Sequence, residues 1–96
     1  MSKQSLFFSS KHKNISRIIS LKSPSKAHIS VTKLKKMFDR SSRDRKVLII
    51  KSTNLASNRA NAISQKNSLS DEKRSQFREI GMIYNEAQEY FSSRLE

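Results

Sequence analysis

The stretch FREIGMIYNEAQEYF, residues 77–91, decides the fold that the sequence predicts. Its apolar residues recur at steps of three, four, three and four, the spacing of one side of an α-helix, at Phe77, Ile80, Tyr84, Ala87 and Phe91. Ser70 is suited to cap the start of this helix, and acids follow at positions 71 and 72, where the positive end of the helix dipole stabilises them. We therefore expect a helix over about 70–94.

The segment SPSKAHISVTKLKKMFD, residues 23–39, has the same kind of periodicity. Ser23 is a suitable N-cap, and Pro24 suits the first position of a helix. One apolar stripe follows, made of Ala27, Val31, Leu34 and Phe38. This pattern predicts a helix over about 24–39, followed by a polar loop over about 39–45.

The segment KVLIIKS, residues 46–52, is ambiguous because its β-branched run could also form a strand. No second convincing strand is available to pair with it, and a lone strand is not stable. We therefore predict a helix over about 46–66, whose core stripe is Ile49, Ala56, Ala60 and Ile63, with Leu48, Leu55 and Ala62 on its flanks. Gly81 is expected to lie against the alanine side of this helix, where small residues permit close approach.

Three amphipathic helices with short polar connections predict an all-α fold, a small three-helix bundle. The chain has 96 residues, with one proline and one glycine, which favours long helices and a single small domain. We assign residues 23–96 to the helical domain and residues 1–22 to a basic N-terminal arm rich in Ser and Lys. The core is expected to be thin, because only 34% of the residues are hydrophobic.

The N-terminal arm contains no acid and admits three interpretations. A transit peptide has this basic, Ser-rich character, but arginine is scarce here. A basic arm could instead lie along a partner. A short amphipathic element could instead cover the core with Ile15, Ile18, Ile19 and Leu21. Leu6, Phe7 and Phe8 would then insert into a groove. We favour an arm with an anchoring apolar patch.

The net positive charge of the chain comes from its first half. Residues 1–51 carry fourteen Lys and Arg against two Asp, and residues 52–96 carry six against six acids, so the whole net charge of +12 lies in the first half. A polyanion is the natural partner of such a half, and nucleic acid, either DNA or RNA, is the leading candidate. The predicted phosphate-contacting residues are Lys11, Lys13, Arg17, Lys33, Lys36, Arg40, Arg43, Arg45, Lys46 and Lys51. The alternative is a set of scattered cations that only keep the protein soluble.

Uncharged amides form a second pattern on the predicted middle helix. They recur at helical steps, at Asn54, Asn58, Asn61 and Gln65. Amides both donate and accept hydrogen bonds, so this polar face could contact backbone, base edges or another protein. An ordinary solvated face is the competing interpretation. Arg59, on the same helix, is expected to pair with an acid of the last helix or to contact a phosphate.

The sequence disfavours an enzyme and predicts no cofactor and no metal site. It has no cysteine, no glycine-rich phosphate loop and no metal-ligand spacing. Neither His12 nor His28 has an evident catalytic companion. A DNA-reading third helix is also disfavoured, because phosphates would repel its carboxylates, which are Glu79, Glu86 and Glu89.

These patterns predict a small helical protein that binds nucleic acid through non-specific phosphate contacts within a nucleoprotein assembly. The alternative is a structural interaction protein that joins subunits of a virion or ribosome-like particle. A peripheral membrane role for Phe7 and Phe8 is the weakest option, and a membrane is not an expected partner. We expect an intracellular protein, or one inside a virion or nucleoprotein particle, rather than a secreted one.

Overall fold

The computed structural model describes residue 15 and residues 17–95, and this part of the chain folds as a three-helix bundle. Helix α1 spans Pro24–Asp39, α2 spans Arg43–Ser64 and α3 spans Asp71–Ser93. The described residues form no strand, so the helical interpretation of KVLIIKS is confirmed. The expectations for Leu6, Phe7, Phe8, Lys11, His12 and Lys13 lie outside the described residues.

A serine side chain caps the start of each helix. The three hydroxyls accept a hydrogen bond from the backbone N–H three residues later, in the pairs Ser23–Lys26, Ser42–Arg45 and Ser70–Lys73. Ser42 therefore starts α2 earlier than the sequence pattern predicted, and the connection from α1 is only a short turn. A residue that satisfies an otherwise unpaired N–H fixes a helix boundary more directly than hydrophobic spacing does.

Large aromatic side chains of α1 and α3 fill the centre of the core. Phe38 and Phe91 are buried and stack with their ring centroids 4.7 Å apart. The predicted stripe of α3 is confirmed, since Ile80, Tyr84 and the residues beyond them on that side are buried and Phe77 is half-buried. The predicted stripe of α1 is buried as well.

The buried side of α2 includes the predicted Ile49, Ala56 and Ala60, but it differs from the prediction at its edges. Leu55 is 55% exposed and Ile63 is only half-buried, whereas hydroxyl residues are buried among the alanines, at Thr53, Ser57 and Ser64. Thr53 donates its hydroxyl to the carbonyl of Ile49, 3.1 Å away, on the same helix. Because such a hydroxyl is satisfied internally, it can be buried at little cost. The small residues then let α2 and α3 form the most extensive helix pair of the bundle.

Gly81 is the point of closest approach on α3. Ser57 of α2 donates a hydrogen bond of 2.9 Å to the carbonyl oxygen of Gly81. A Cβ atom at position 81 would collide with the side chain of Asn61, whose Cγ would lie 3.0 Å away. The expected contact between Gly81 and α2 is confirmed, but its neighbours are Ser57 and Asn61 rather than the alanines.

Residues Ile15 and 17–22, here called the N-terminal segment, pack on the bundle. Ile15 is fully buried, and Ile18, Ile19 and Leu21 are partly buried against the core, as the sequence predicted. The phenol of Tyr84 accepts a hydrogen bond from the N–H of Ser20 at 2.9 Å and donates one to the carbonyl of Ser20 at 2.8 Å. The segment is therefore held by directed bonds as well as by apolar contact.

Gly81→Ala tests the close approach of α2 and α3. In an Asn61→Ala background, the added methyl group has room, and we expect the helix propensity of alanine to raise the free energy of unfolding by about 1 kcal/mol. In the wild-type background the gain is smaller or absent, because the Asn61 side chain must rotate away. Denaturant unfolding of the four proteins measures the coupling. An identical effect of Gly81→Ala in both backgrounds would contradict the contact.

Tyr84 makes the stability of the bundle depend on pH in the alkaline range. Burial raises the pKa of Tyr84, and the nearby Ser30 hydroxyl and the hydrogen bonds with the backbone of Ser20 offset this only in part. Below the ordinary tyrosine pKa of about 10 the stabilisation is fully present, and it is lost as pH rises further, because the unfolded chain releases this proton first. We expect the free energy of unfolding to fall more steeply above pH 10 in wild type than in Tyr84→Phe. Equal slopes in denaturant titrations would contradict this origin.

Candidate nucleic-acid interface

The turn between α1 and α2 forms an open groove, here called the turn groove. Cations from α1, from its C-terminal end and from the first turn of α2 line it, and they are Lys33, Lys36, Arg40 and Arg45. Met37, Ser41 and Ser42 complete its surface. The Ser42 cap brings these cations together, because it starts α2 directly after α1 and so keeps Arg45 beside the end of α1.

A second groove, here called the N-terminal groove, lies where the N-terminal segment crosses α1. It is lined by Arg17 and Lys22 from the segment and by Lys26 and Lys33 from α1. Ile29, which is 56% exposed, lies on the same surface. Lys33 borders both grooves, so the two grooves adjoin.

The seven cations of the two grooves form one continuous strip, here called the basic face, which consists of Arg17, Lys22, Lys26, Lys33, Lys36, Arg40 and Arg45. Lys26, Lys33 and Arg40 are seven residues apart, so they follow one side of α1. At the helical rise, this row is about 21 Å long. The face is long enough to contact several successive phosphates of a nucleic-acid strand.

No carboxylate among the described residues lines either groove. The one ion pair in that part of the chain joins Arg74 and Asp71 on α3, at 2.6 Å. The cations of the basic face therefore have no acidic partner within the described structure. Unpaired cations close together repel one another and attract polyanions.

The structure places the remaining predicted cations elsewhere. Lys46 is half-buried, with its Nζ 5.1 Å from the centre of the Phe38 ring, so it packs on the core instead of lining a groove. Arg43 and Lys51 are exposed on α2 but line neither groove. Conversely, Lys22 and Lys26 belong to the basic face although the sequence-based set omitted them. Their proximity depends on how the N-terminal segment folds back, which no local pattern reveals.

The amide face of α2 is exposed at all of its positions, Asn54, Asn58, Asn61 and Gln65. Only the side chain of Asn61 has an evident structural contact, which is the one with Gly81. Arg59 is exposed and forms no ion pair within the described residues, so its predicted partner on the last helix is not observed. The amide face is therefore accessible to solvent, and its role as a polar contact surface stays a prediction.

His28 is exposed on α1, and the described residues contain no cluster of three His, Asp or Glu that could hold a metal ion. Among the described helices, none combines the length and the apolar character that crossing a membrane requires.

Comparison with known proteins does not identify a function for these grooves. No protein-family model, curated protein or solved structure matches this chain. The function must therefore be argued from the arrangement of the side chains.

Lys33→Gln tests the clustering of charge without any ligand. Lys33 has a like charge three residues on, at Lys36, and lies where the grooves adjoin. Relief of this repulsion should raise the free energy of unfolding at low salt by about 0.3 kcal/mol or more, and salt should abolish the gain. Lys51→Gln is the matched control, because no like charge lies three or four residues from Lys51. Equal effects of the two variants in denaturant unfolding would contradict the cluster.

Proposed function

We propose that this protein binds nucleic acid through the phosphate backbone, using the basic face of α1, the N-terminal segment and the turn into α2. One observation carries the proposal: seven cations line two adjoining grooves that contain no carboxylate among the described residues. Lys and Arg that neutralise phosphates release condensed counterions, which supplies affinity without sequence selection.

The distribution of acids supports one orientation of the bound strand. The carboxylates of α3 are solvent-exposed at Glu79, Glu86 and Glu89, whereas the other side of α3 packs on the core. Phosphates are repelled by that acidic surface and attracted by the cations of α1. The strand is therefore expected to approach α1 and the turn, with α3 facing away from it.

The burial of the aromatic side chains favours contact with phosphates over stacking on bases. Phe38, Tyr84 and Phe91 are buried in the core. The ring of Tyr90 is covered by Lys35, whose Nζ lies 4.3 Å from its centre, and by Arg94, whose Cζ lies 4.4 Å from it. Proteins that grip single strands by their bases need exposed rings as stacking platforms. The described residues offer the cations, whereas Phe77 and Tyr90 are only half-exposed and the other three described rings are buried.

Binding of labelled duplex DNA and duplex RNA, followed by fluorescence anisotropy between about 50 and 200 mM salt, tests the proposal. Affinity should fall steeply as salt rises, with a log–log slope of up to about −6 if all seven cations contact phosphates. Changing the bases at constant length should have little effect. Absence of binding at the lowest salt would overturn the proposal and favour a role confined to protein contacts.

Two triple variants with the same change in charge locate the interface. Lys33→Gln, Lys36→Gln and Arg40→Gln remove three cations of the basic face, and the slope should become shallower by about 3. Lys51→Gln, Arg59→Gln and Lys66→Gln remove three exposed cations that line neither groove. The control should bind nearly as wild type does. Equal loss in both variants would show that net charge, rather than the basic face, governs binding.

A further inference from the structure

The N-terminal groove is built from two separate stretches of the chain. Lys26 and Lys33 are fixed by the regular geometry of α1, whereas Arg17 and Lys22 belong to the N-terminal segment. Those two cations line the groove only while the segment lies against the bundle. The contacts that hold the segment against the bundle therefore determine the number of cations in the groove. Four cations line it when the segment is in place, and only the two of α1 remain when it is not.

The backbone of Ser20 is hydrogen-bonded to Tyr84 of α3. The hydroxyl of Tyr84 accepts from the N–H of Ser20 at 2.9 Å and donates to its carbonyl at 2.8 Å, across 64 residues of sequence. One hydroxyl thus satisfies both backbone groups of one residue. Apolar contact would allow the segment to slide, but this pair of directed bonds sets its position and orientation. Ser20 lies between the two groove cations of the segment.

Other bonds to the segment are few and lie beside the same point. The hydroxyl of Ser30 on α1 shares its proton between the carbonyl oxygens of Ile18, at 2.5 Å, and of Lys26 on its own helix, at 2.9 Å. Within the described residues, the remaining bonds of residues 18–22 are local ones, from the Ile19 N–H to Ile15 and from the Lys22 N–H to the Ser20 hydroxyl. Tyr84 and Ser30 are therefore the two tertiary anchors of the segment.

We infer that Tyr84 is a positioning residue for polyphosphate binding: its buried hydroxyl holds Ser20 so that Arg17 and Lys22 complete the N-terminal groove. The inference rests on the proposed function for its effect on binding. The positioning itself is a property of the free protein and is tested separately.

Limited trypsin digestion of the full chain tests the positioning without any ligand. Tyr84→Phe removes only the hydroxyl, so the core keeps its ring. Cleavage after Arg17 and Lys22 should become about tenfold faster, because the segment loses two hydrogen bonds. Cleavage after Lys51, within α2, reports on global unfolding and should change much less. Tyr90→Phe removes the hydroxyl of the other tyrosine and should leave all rates unchanged.

Ser30→Ala provides a second, independent variant. It removes the bond to Ile18 while leaving Tyr84 intact. The same cleavage sites, after Arg17 and Lys22, should become more accessible than in wild type. If neither Tyr84→Phe nor Ser30→Ala accelerates cleavage there, the inference is overturned whatever the binding data show.

The effect on binding is measured with the duplex probes and the salt series. Tyr84→Phe should make the log–log slope shallower by about 2, the value expected for the loss of two phosphate contacts. Arg17→Gln with Lys22→Gln should have the same effect, and adding Tyr84→Phe to that pair should cause no further loss. Such non-additivity marks a residue that acts through these two cations.

The outcomes separate the two proposals. Unchanged binding by Tyr84→Phe, together with weakened binding by the Lys33, Lys36 and Arg40 variant, would overturn the inference and leave the proposed function standing. Absence of binding by the wild type would overturn the proposed function and, with it, the effect of Tyr84 on binding. Faster cleavage, a shallower slope and non-additivity together support the inference.

Discussion

The close packing of α2 against α3 is the constraint on which the rest of this small bundle depends. Only small side chains separate the two helices, and the hydroxyl of Ser57 reaches the backbone of Gly81 directly. Because these helices lie so close, the large residues of α3 project toward α1, where Phe38 and Phe91 stack. The single thin core therefore contains both the small residues of α2 and the stacked rings of Phe38 and Phe91.

The sequence predicted the parts of the fold that depend on large apolar residues. The stripe of α3 is correct because burying large side chains such as Tyr84 and Phe91 removes much apolar surface from water. The predicted buried side of α2 was incomplete, since Thr53, Ser57 and Ser64 count as polar in a periodicity analysis and were omitted. Their hydroxyls bond to carbonyls, so each is a small apolar surface in practice. Such residues can be recognised as core residues only when the helix that packs against them is known.

The candidate site was predictable to the extent that it lies on one helix. Lys33, Lys36 and Arg40 share a side of α1 by their spacing alone. Lys46 was predicted beside these cations, but its ammonium lies over the ring of Phe38, a tertiary contact that its sequence position does not reveal. Lys22 was omitted because its position depends on a bond formed far away in the sequence. Local charge density thus indicates that cations are concentrated in this part of the chain, while tertiary contacts decide which of them line the two grooves.

The hydrogen bonds between Tyr84 and Ser20 also determine when, during synthesis, the N-terminal segment can reach its native position. They span 64 residues, the longest loop closed by a side-chain hydrogen bond in the described structure. Contacts within and between neighbouring helices can form early, whereas a contact of this separation must wait for the later helix. On the ribosome, α3 emerges last of the three helices, so the N-terminal segment is free of its final anchor until then. The nascent chain therefore acquires the complete basic face only after α3 has emerged.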